Sequence, residues 1–141
     1  MADVIPFDQR DGSLWYDGKL VPWKDAKTHV LTHGLHYGSC VFEGERAYNG
    51  VIFKSREHSE RFRKSAQVLD FEIPYSVDEI EAAKKLVVEK NKLDSCYVRP
   101  VAWRGSEMMA VSAQHNKIHV AIAIYITYGG QHMLIGKICR V

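Results

Sequence analysis

Two arginines in this sequence, Arg61 and Arg99, have side chains that could bind an anionic ligand. A guanidinium group presents a planar fork of donors that matches phosphate or carboxylate, and it stays charged at physiological pH. Arg61 falls on a predicted helix one turn after His58, whereas Arg99 shares a predicted strand with Tyr97. Residues two apart on a strand face the same way, so Tyr97 and Arg99 could together receive a carboxylate. On residue type alone, a solvated surface role for Arg61 is the commoner outcome, and a cross-strand ion pair is equally open for Arg99.

The stretch from residue 35 to residue 62 mixes small, aromatic and charged residues more tightly than an ordinary core strand does. Tyr37, Phe42 and Gly44 stand out, because glycine lets a ligand approach the backbone and aromatic rings shape an apolar pocket. The pattern therefore indicates the wall of a binding site. Burial in the hydrophobic core is the alternative for each isolated aromatic residue.

Two dipeptides, Asp17-Gly18 and Asn49-Gly50, predict hairpins, because both readily adopt the positive φ angles of a two-residue turn. Residues 118–128 are apolar on both faces, which is typical of a central strand. Pro100 indicates that its own strand lies at an edge of the sheet or is interrupted there. The predicted strands span residues 14–16, 19–22, 41–48, 51–53, 96–103 and 118–128.

Two helices are predicted between the second hairpin and the last two strands. Ser55 can act as the N-cap of a helix over residues 56–69, and Ser76 with Glu79 forms a capping box that opens a second helix. The second helix runs to about residue 91, with a predicted buried face made of Ile80, Ala83, Leu86 and Val87. Together these elements predict an α+β domain with a mainly antiparallel sheet and two helices.

The length of 141 residues, with 46% hydrophobic and 26% charged, suits one globular domain. We expect an N-terminal arm at residues 1–13, the α+β domain at 14–128 and a divergent tail at 129–141. The net charge of +2 is too small to indicate a nucleic acid or an anionic membrane as a partner. The longest apolar run, residues 120–126, is too short to span a bilayer.

The cysteines and histidines indicate neither a disulfide framework nor a metal centre. The three cysteines lack metal-ligand spacing, and we expect free thiols in a reducing cytoplasm. The first residues also lack the pattern of a signal peptide. His29, His33 and His36 could ligate zinc if their segment were helical, but Gly34 weakens a helix there and no HExxH pattern is present.

Four motifs, occurring in order, resemble those of the fold-type IV PLP-dependent aminotransferases, and most of all the branched-chain amino-acid aminotransferases. They are LHYG at residues 35–38, VFEGER at 41–46, HSERF at 58–62 and YVRP at 97–100. The resemblance covers about residues 14–124 and corresponds to the small N-terminal domain of the family. It implies the α+β fold predicted above.

The resemblance implies binding roles for individual residues. Arg61 matches the position that anchors the phosphate of pyridoxal 5'-phosphate (PLP), and Tyr97 matches a position that helps to hold the substrate α-carboxylate. Arg99 matches the arginine that takes the side-chain carboxylate of glutamate or 2-oxoglutarate. Phe42 and Gly44 match residues that shape the side-chain pocket of their own subunit.

The resemblance also implies a homodimer. Tyr37 and the loop near Met109 and Val111 match segments that enter the pocket of the neighbouring subunit. Arg46 is expected to support the pocket from behind the residues that touch substrate. The partners expected are amino acids, 2-oxo acids and a second copy of the chain.

The activity implied is transfer of the amino group between leucine, isoleucine or valine and 2-oxoglutarate, with PLP as cofactor. In the family the lysine that attaches the cofactor lies in the large domain, which this chain is expected not to reach. Lys137 is interpreted as an ordinary tail lysine. We therefore expect a truncated chain that contributes no catalytic residue, binds PLP weakly and is inactive alone.

Two alternatives stay open. A D-amino-acid aminotransferase or an aminodeoxychorismate lyase would use a similar small domain, although the strand at residues 97–100 favours the branched-chain group. A non-catalytic domain that self-associates belongs to a different functional class, because exposed apolar surface would make such a domain prone to association.

Overall fold

An antiparallel sheet organises the chain, and two long helices cover one of its faces. The structure is a computed structural model that describes residues 5–128 and 131–133. The strands are β1 Ser13–Tyr16, β2 Lys19–Pro22, β3 Cys40–Phe42, β4 Glu45–Tyr48, β5 Val51–Ile52, β6 Cys96–Arg104, β7 Ile118–Tyr128 and β8 Gln131–Met133. The α-helices are α1 His33–Tyr37, α2 Ser55–Val68 and α3 Val77–Lys90, and single 3-10 turns span Phe7–Gln9 and Trp23–Asp25.

The strand order is β2-β1-β7-β6-β4-β5, with β3 paired to β6 and β8 paired to β7. Every described pairing is antiparallel. The α+β class with a mainly antiparallel sheet is therefore confirmed, as is the central position of β7. Among the described residues, no helix is both long enough and apolar enough to cross a bilayer.

The hydrophobic core lies between the helices and one face of the sheet. Along β6 the side chains alternate between buried and half-buried, which is the period-2 pattern of a strand with one covered face. Helix α3 packs on β1, β6 and β7, whereas α2 packs on α3 and β3. The most deeply buried members of the core are Phe62, Ala66, Ile80, Val87, Val98, Val120, Ile122 and Ile124.

Both predicted tight turns have the expected backbone. Asp17 and Gly18 have φ angles of 46° and 95°, and Asn49 and Gly50 have 50° and 75°. Positive φ at both central residues matches the right-handed twist of the flanking strands. The capping box is also confirmed, because the Ser76 hydroxyl accepts from the Glu79 N–H while the Glu79 carboxylate accepts from the Ser76 N–H.

The helices differ from the prediction in number and in detail. The segment His33–Tyr37 forms a short third helix despite Gly34. The N-cap of α2 is Lys54 in the left-handed conformation, and Ser55 is already helical, with its hydroxyl donating to Glu81 instead of capping. On α3, Leu86 is 43% exposed, and the buried face contains Lys84 in its place.

The single strand predicted for residues 41–48 is two strands, β3 and β4, with a break at Glu43 and Gly44. Pro100 lies opposite the break, and its carbonyl accepts a hydrogen bond from the Glu43 N–H. A proline has no N–H to donate on that side. The prediction that β6 is an edge strand or is interrupted was therefore wrong, because the partner strand carries the interruption instead.

Some described residues outside the bounds 14–128 pack with the domain or pair with its sheet. Strand β1 begins at Ser13, and Arg10 in the predicted arm is only 7% exposed. Beyond residue 128 the sheet continues with β8, which pairs Gln131 with Tyr128. The rest of the predicted tail, including Lys137 and Cys139, lies outside the described residues, as do residues 1–4.

Candidate functional site

The face of the sheet opposite the helices holds Arg99 among aromatic side chains. Its guanidinium carbon lies 4.1 Å from the ring centre of Phe42 and 5.8 Å from that of Tyr97. Its Nη1 donates to the Tyr125 hydroxyl at 3.3 Å. Cation–π contact is attractive and favours a guanidinium lying over the ring. The pairing of strands thus places a positive charge on an apolar floor.

The strand register explains why these residues meet. Tyr97 of β6 lies opposite Tyr125 of β7 and opposite Arg46 of β4, and the rings of Tyr97 and Tyr125 are 4.7 Å apart. Burial raises the pKa of Tyr125, against the opposing effect of Arg99, so its hydroxyl stays protonated at neutral pH. The structure therefore brings together the predicted residues Phe42, Arg46, Tyr97 and Arg99, and it adds Tyr125.

Sequence reasoning missed Tyr125 because it saw only a central strand at residues 118–128. A strand with both faces apolar gives no sign of which side chains face a site. Only the register with β6, which places Tyr125 directly beside Tyr97, assigns it to this face.

Gly44 makes room for a protein side chain. The sequence marked it as a place where a ligand could approach the backbone. In the structure a Cβ at Gly44 would overlap the Tyr97 hydroxyl. Gly44 has no positive φ angle, so its role is the close approach of Tyr97 and not backbone freedom.

We expect Gly44→Ala to lower the free energy of unfolding by about 1–3 kcal/mol, the usual cost of overpacking. Adding Tyr97→Phe removes the hydroxyl that the new methyl group meets, so the double variant should recover part of the loss. Urea denaturation of the four proteins in this cycle measures the coupling. Additive effects of the two substitutions would show that the contact does not determine the residue at position 44.

Arg61 lies in the middle of α2 and is joined to Glu43. Its Nε and Nη2 donate to the two carboxylate oxygens of Glu43 at 2.7 and 2.6 Å, in a bidentate pair. His58, one turn earlier, also contacts Glu43 through Nδ1 at 2.8 Å. The Arg61 side chain is 64% exposed, whereas that of Glu43 is 5% exposed. The arginine is thus fixed at one edge and open to solvent elsewhere.

Glu43 is a buried carboxylate that sequence reasoning treated only as part of a motif. Burial alone would raise its pKa, but hydrogen bonds from Arg61 and His58 hold the pKa below the ordinary value. The group is therefore charged at neutral pH, and it balances the charge of Arg61. Burial alternates without a shift through residues 41–47, so Glu43 lies on the helix side of the sheet and its carboxylate meets α2.

Tyr37 and Val111 lie in a second group of residues joined by His33. The rings of His33 and Tyr37 stack with centres 4.5 Å apart, and the His33 Nε2 contacts the Ala110 carbonyl at 2.8 Å. Tyr37 is 50% exposed and Val111 is 88% exposed. The loop and the short helix therefore present aromatic and apolar side chains to solvent at one place.

The histidines of that segment bind protein groups. His33 contacts Ser39 through Nδ1, and His36 contacts the Val30 carbonyl through Nε2 at 2.8 Å. Within residues 5–128 and 131–133, no cluster of three or more potential metal ligands is found. In the same part of the chain, Cys40 and Cys96 are free thiols.

Comparison with known proteins agrees with the geometry. The family model for class IV aminotransferases matches residues 40–128. The branched-chain-amino-acid aminotransferase of Pseudomonas aeruginosa is 50% identical over 120 residues, which are 82% of this chain and 39% of that protein.

Two crystal structures of the branched-chain amino acid aminotransferase of T.th. superpose with TM-scores of 0.79 at 44% identity. One contains N-(5'-phosphopyridoxyl)-L-glutamate and the other 4-methylvaleric acid. Each comparison covers 83% of this chain, and 40% and 41% of the respective crystal chains. The chain thus spans about 40% of the length of the relatives it matches. The resemblance carried by the four motifs is confirmed, and the chain belongs to the class IV aminotransferases.

Proposed function

We propose that this chain forms the small-domain side of a PLP-dependent aminotransferase acting on branched-chain L-amino acids and 2-oxoglutarate. The observation that carries the proposal is Arg99 lying over Phe42 beside Tyr97. Such an enzyme must accept an apolar side chain and a carboxylate side chain in turn. An arginine on an aromatic floor provides both surfaces within one small area.

The relatives support this proposal. The T.th. enzyme has been crystallised with a glutamate adduct of the cofactor and with a branched aliphatic acid. The glutamate side chain ends in a carboxylate, which Arg99 could bind. The chain of 4-methylvaleric acid ends in methyl groups, which Phe42 could contact. We assign Tyr97 to the α-carboxylate and Arg99 to the distal carboxylate, while Phe42 and Gly44 border the apolar side chain and Arg46 supports Tyr97 from β4.

Arg61 has the features needed to hold the PLP phosphate. Its guanidinium is mostly exposed, and within the described residues its Nη1 makes no hydrogen bond, whereas Nε and Nη2 bind Glu43. A charge-assisted donor that is already oriented is a good phosphate ligand. When bound, PLP supplies an electron sink for bonds at the substrate Cα.

The chain contributes binding groups to the face of the sheet that holds Arg99. We assign no lysine of that face to the attachment of the cofactor. Lys84 is the fully buried lysine of the described part, and it is held by Glu45 and Glu81. We propose that the 141-residue chain alone has no aminotransferase activity. Glutamate production from leucine, 2-oxoglutarate and PLP with this chain alone would contradict that statement.

Tyr37 and Val111 lie on a surface that a second copy of the chain could contact. Both are exposed, and the contacts of His33 with Tyr37 and Ala110 hold their segments together. We propose that this group enters the pocket of a second copy in a homodimer. Its exposed aromatic and apolar surface is typical of an interface and not of a solvated loop.

The substrate assignment is tested by replacing Arg99 with methionine, which keeps the length of the side chain. Ligand-observed NMR on the chain should show 2-oxoglutarate binding weakened about tenfold or more, since a charge-assisted pair is lost. Binding of 4-methyl-2-oxovalerate should change by less than about threefold, because that ligand has no distal carboxylate. Arg56→Met on the exposed side of α2 is the matched control. Equal losses for the two ligands would contradict the role given to Arg99.

A further inference from the structure

Glu43 contacts both the central strand β6 and helix α2. It lies in the break between β3 and β4, where its backbone N–H donates to the Pro100 carbonyl at 3.0 Å. The backbone is thereby attached to the central strand β6. The side chain, which is 5% exposed, reaches α2. Glu43 therefore connects the rigid middle of the sheet to the helix that carries Arg61.

The contacts of the carboxylate define one orientation of Arg61. Oε1 accepts from Nε at 2.7 Å and Oε2 accepts from Nη2 at 2.6 Å, so the guanidinium plane is fixed along one edge. His58 contacts Oε2 through Nδ1 at 2.8 Å and supports the carboxylate from the same helix. A long arginine side chain that is 64% exposed would otherwise sample many rotamers.

We propose that Glu43 is the positioning residue for the phosphate-binding arginine, holding the Nε–Nη2 edge of Arg61 so that the Nη1 side faces the phosphate of the cofactor. The inference rests on the proposed function, because it takes the phosphate role of Arg61 as given. Glu43 itself does not touch the cofactor. Its contribution is to remove rotamer freedom from Arg61 before the ligand arrives, which raises affinity by lowering the cost of ordering.

A competing electrostatic effect has the opposite sign. A carboxylate near a phosphate repels it, so loss of Glu43 could strengthen binding instead of weakening it. Two observations favour positioning as the larger effect. The carboxylate occupies the edge of the guanidinium formed by Nε and Nη2, which puts the guanidinium between it and a ligand at Nη1. The exposed side of Arg61 is also solvated, and solvent screens like charges.

The test follows the Arg61 Nε–Hε signal and the affinity of the full 141-residue chain for pyridoxamine 5'-phosphate by NMR. Pyridoxamine 5'-phosphate is chosen because it has no aldehyde to react with surface lysines, and pyridoxamine, which lacks the phosphate, is the reference ligand. The variants are Glu43→Gln and Glu43→Asp. Glu57→Gln is the matched control. Glu57 is an exposed residue of α2, the helix that carries Arg61, and its carboxylate pairs with Lys54.

We expect a sharp Arg61 signal in the unmodified chain that shifts with pyridoxamine 5'-phosphate and not with pyridoxamine. Glu43→Gln should broaden the signal and weaken the phosphate-dependent affinity about tenfold, while Glu57→Gln should leave both unchanged. Glu43→Asp keeps the charge with a shorter reach, so it should fall between the two. The methyl signals of Val98 and Ile124 report whether each variant retains the core.

Each outcome decides one question. If the unmodified chain responds to the phosphate but Glu43→Gln binds equally well or more tightly, the positioning role is overturned and the proposed function stands. If the Arg61 signal is sharp but does not respond to the phosphate, the phosphate role of Arg61 is overturned, and the inference is overturned with it. If Glu43→Gln loses the core signals, the comparison of Glu43→Asp with the unmodified chain decides in the same way.

Discussion

Replacing Lys84 with methionine should lower the free energy of unfolding by about 3–5 kcal/mol, the usual cost of leaving a buried charge without its partner. Lys84 and Glu45 are both 0% exposed in their side chains, and they pair at 2.9 Å. Lys84 also donates to the Ser55 carbonyl and pairs with Glu81 at 2.7 Å. Methionine fills similar space but leaves the Glu45 carboxylate with no positive charge beside it.

The pH dependence of this loss follows from Glu45. Burial raises the pKa of Glu45 in the folded chain, against the lowering effect of Lys84, and removal of Lys84 should raise it further. A carboxyl group with a raised folded pKa adds stability below its unfolded pKa and loses that stability as the pH rises through the folded pKa. The deficit of the variant should therefore be largest near neutral pH and should shrink as the pH falls toward the ordinary value of 4.5.

Urea denaturation at pH 7 and pH 5 measures both effects. Lys85→Met is the matched control, since Lys85 is the next residue of α3, is 75% exposed and approaches Glu89 only at 3.8 Å. That control should change stability by less than about 0.5 kcal/mol. A double variant, Glu45→Gln with Lys84→Met, should recover much of the loss. If Lys84→Met costs no more than Lys85→Met, the buried pair has no part in holding α3 to the sheet.

Replacing Phe62 with alanine should also cost about 3–5 kcal/mol, as large-to-small substitutions in a core usually do. Phe62 is 0% exposed and lies on α2, where Ala66, also 0% exposed, is its neighbour one turn later. The ring holds α2 against the sheet and so fixes the backbone that carries His58 and Arg61. Loss of the ring leaves a cavity that small neighbours cannot fill.

The comparison for Phe62 is Val68→Ala on the same helix, because Val68 is 78% exposed. Its effect should stay within about 0.5 kcal/mol. Equal effects of the two substitutions would contradict the placement of Phe62 in the core. Amide exchange along α2 gives a second reading, because the Phe62 variant should exchange faster through the whole helix while the Val68 variant should not.

The sequence predicted the features that local chemistry decides. Asp17-Gly18 and Asn49-Gly50 form tight turns because their residues tolerate positive φ, and the Ser76 capping box depends on residues only three apart. The same local reasoning failed at Lys54, which adopts φ of 55° although it is neither glycine nor asparagine. Ser55 is drawn into α2 because its hydroxyl binds Glu81 of the other helix, a partner that no local rule reveals.

The features that the sequence did not predict depend on pairing across the fold. Lys84 and Glu45 are charged residues of types that usually lie at the surface. Only the packing of α3 on the sheet buries them together. The break at Glu43 follows from Pro100, which lies far along the chain. The four motifs supplied the candidate residues of the site, but the register of β6 with β7 decides that Tyr125 lies beside them.

The strand order also has a consequence for the time course of folding during synthesis. The hairpin of β1 and β2 joins the sheet through the pairing of Trp15 with Ile122, so it cannot dock until nearly the whole domain has left the ribosome. Leu14 and Trp15, which end at 5% and 6% exposure, stay uncovered through that interval. Closing so long a loop late makes folding slow. Until then the N-terminal hairpin exposes apolar side chains that can associate with other chains. The first strand is therefore the segment of this domain most exposed to aggregation before the sheet closes.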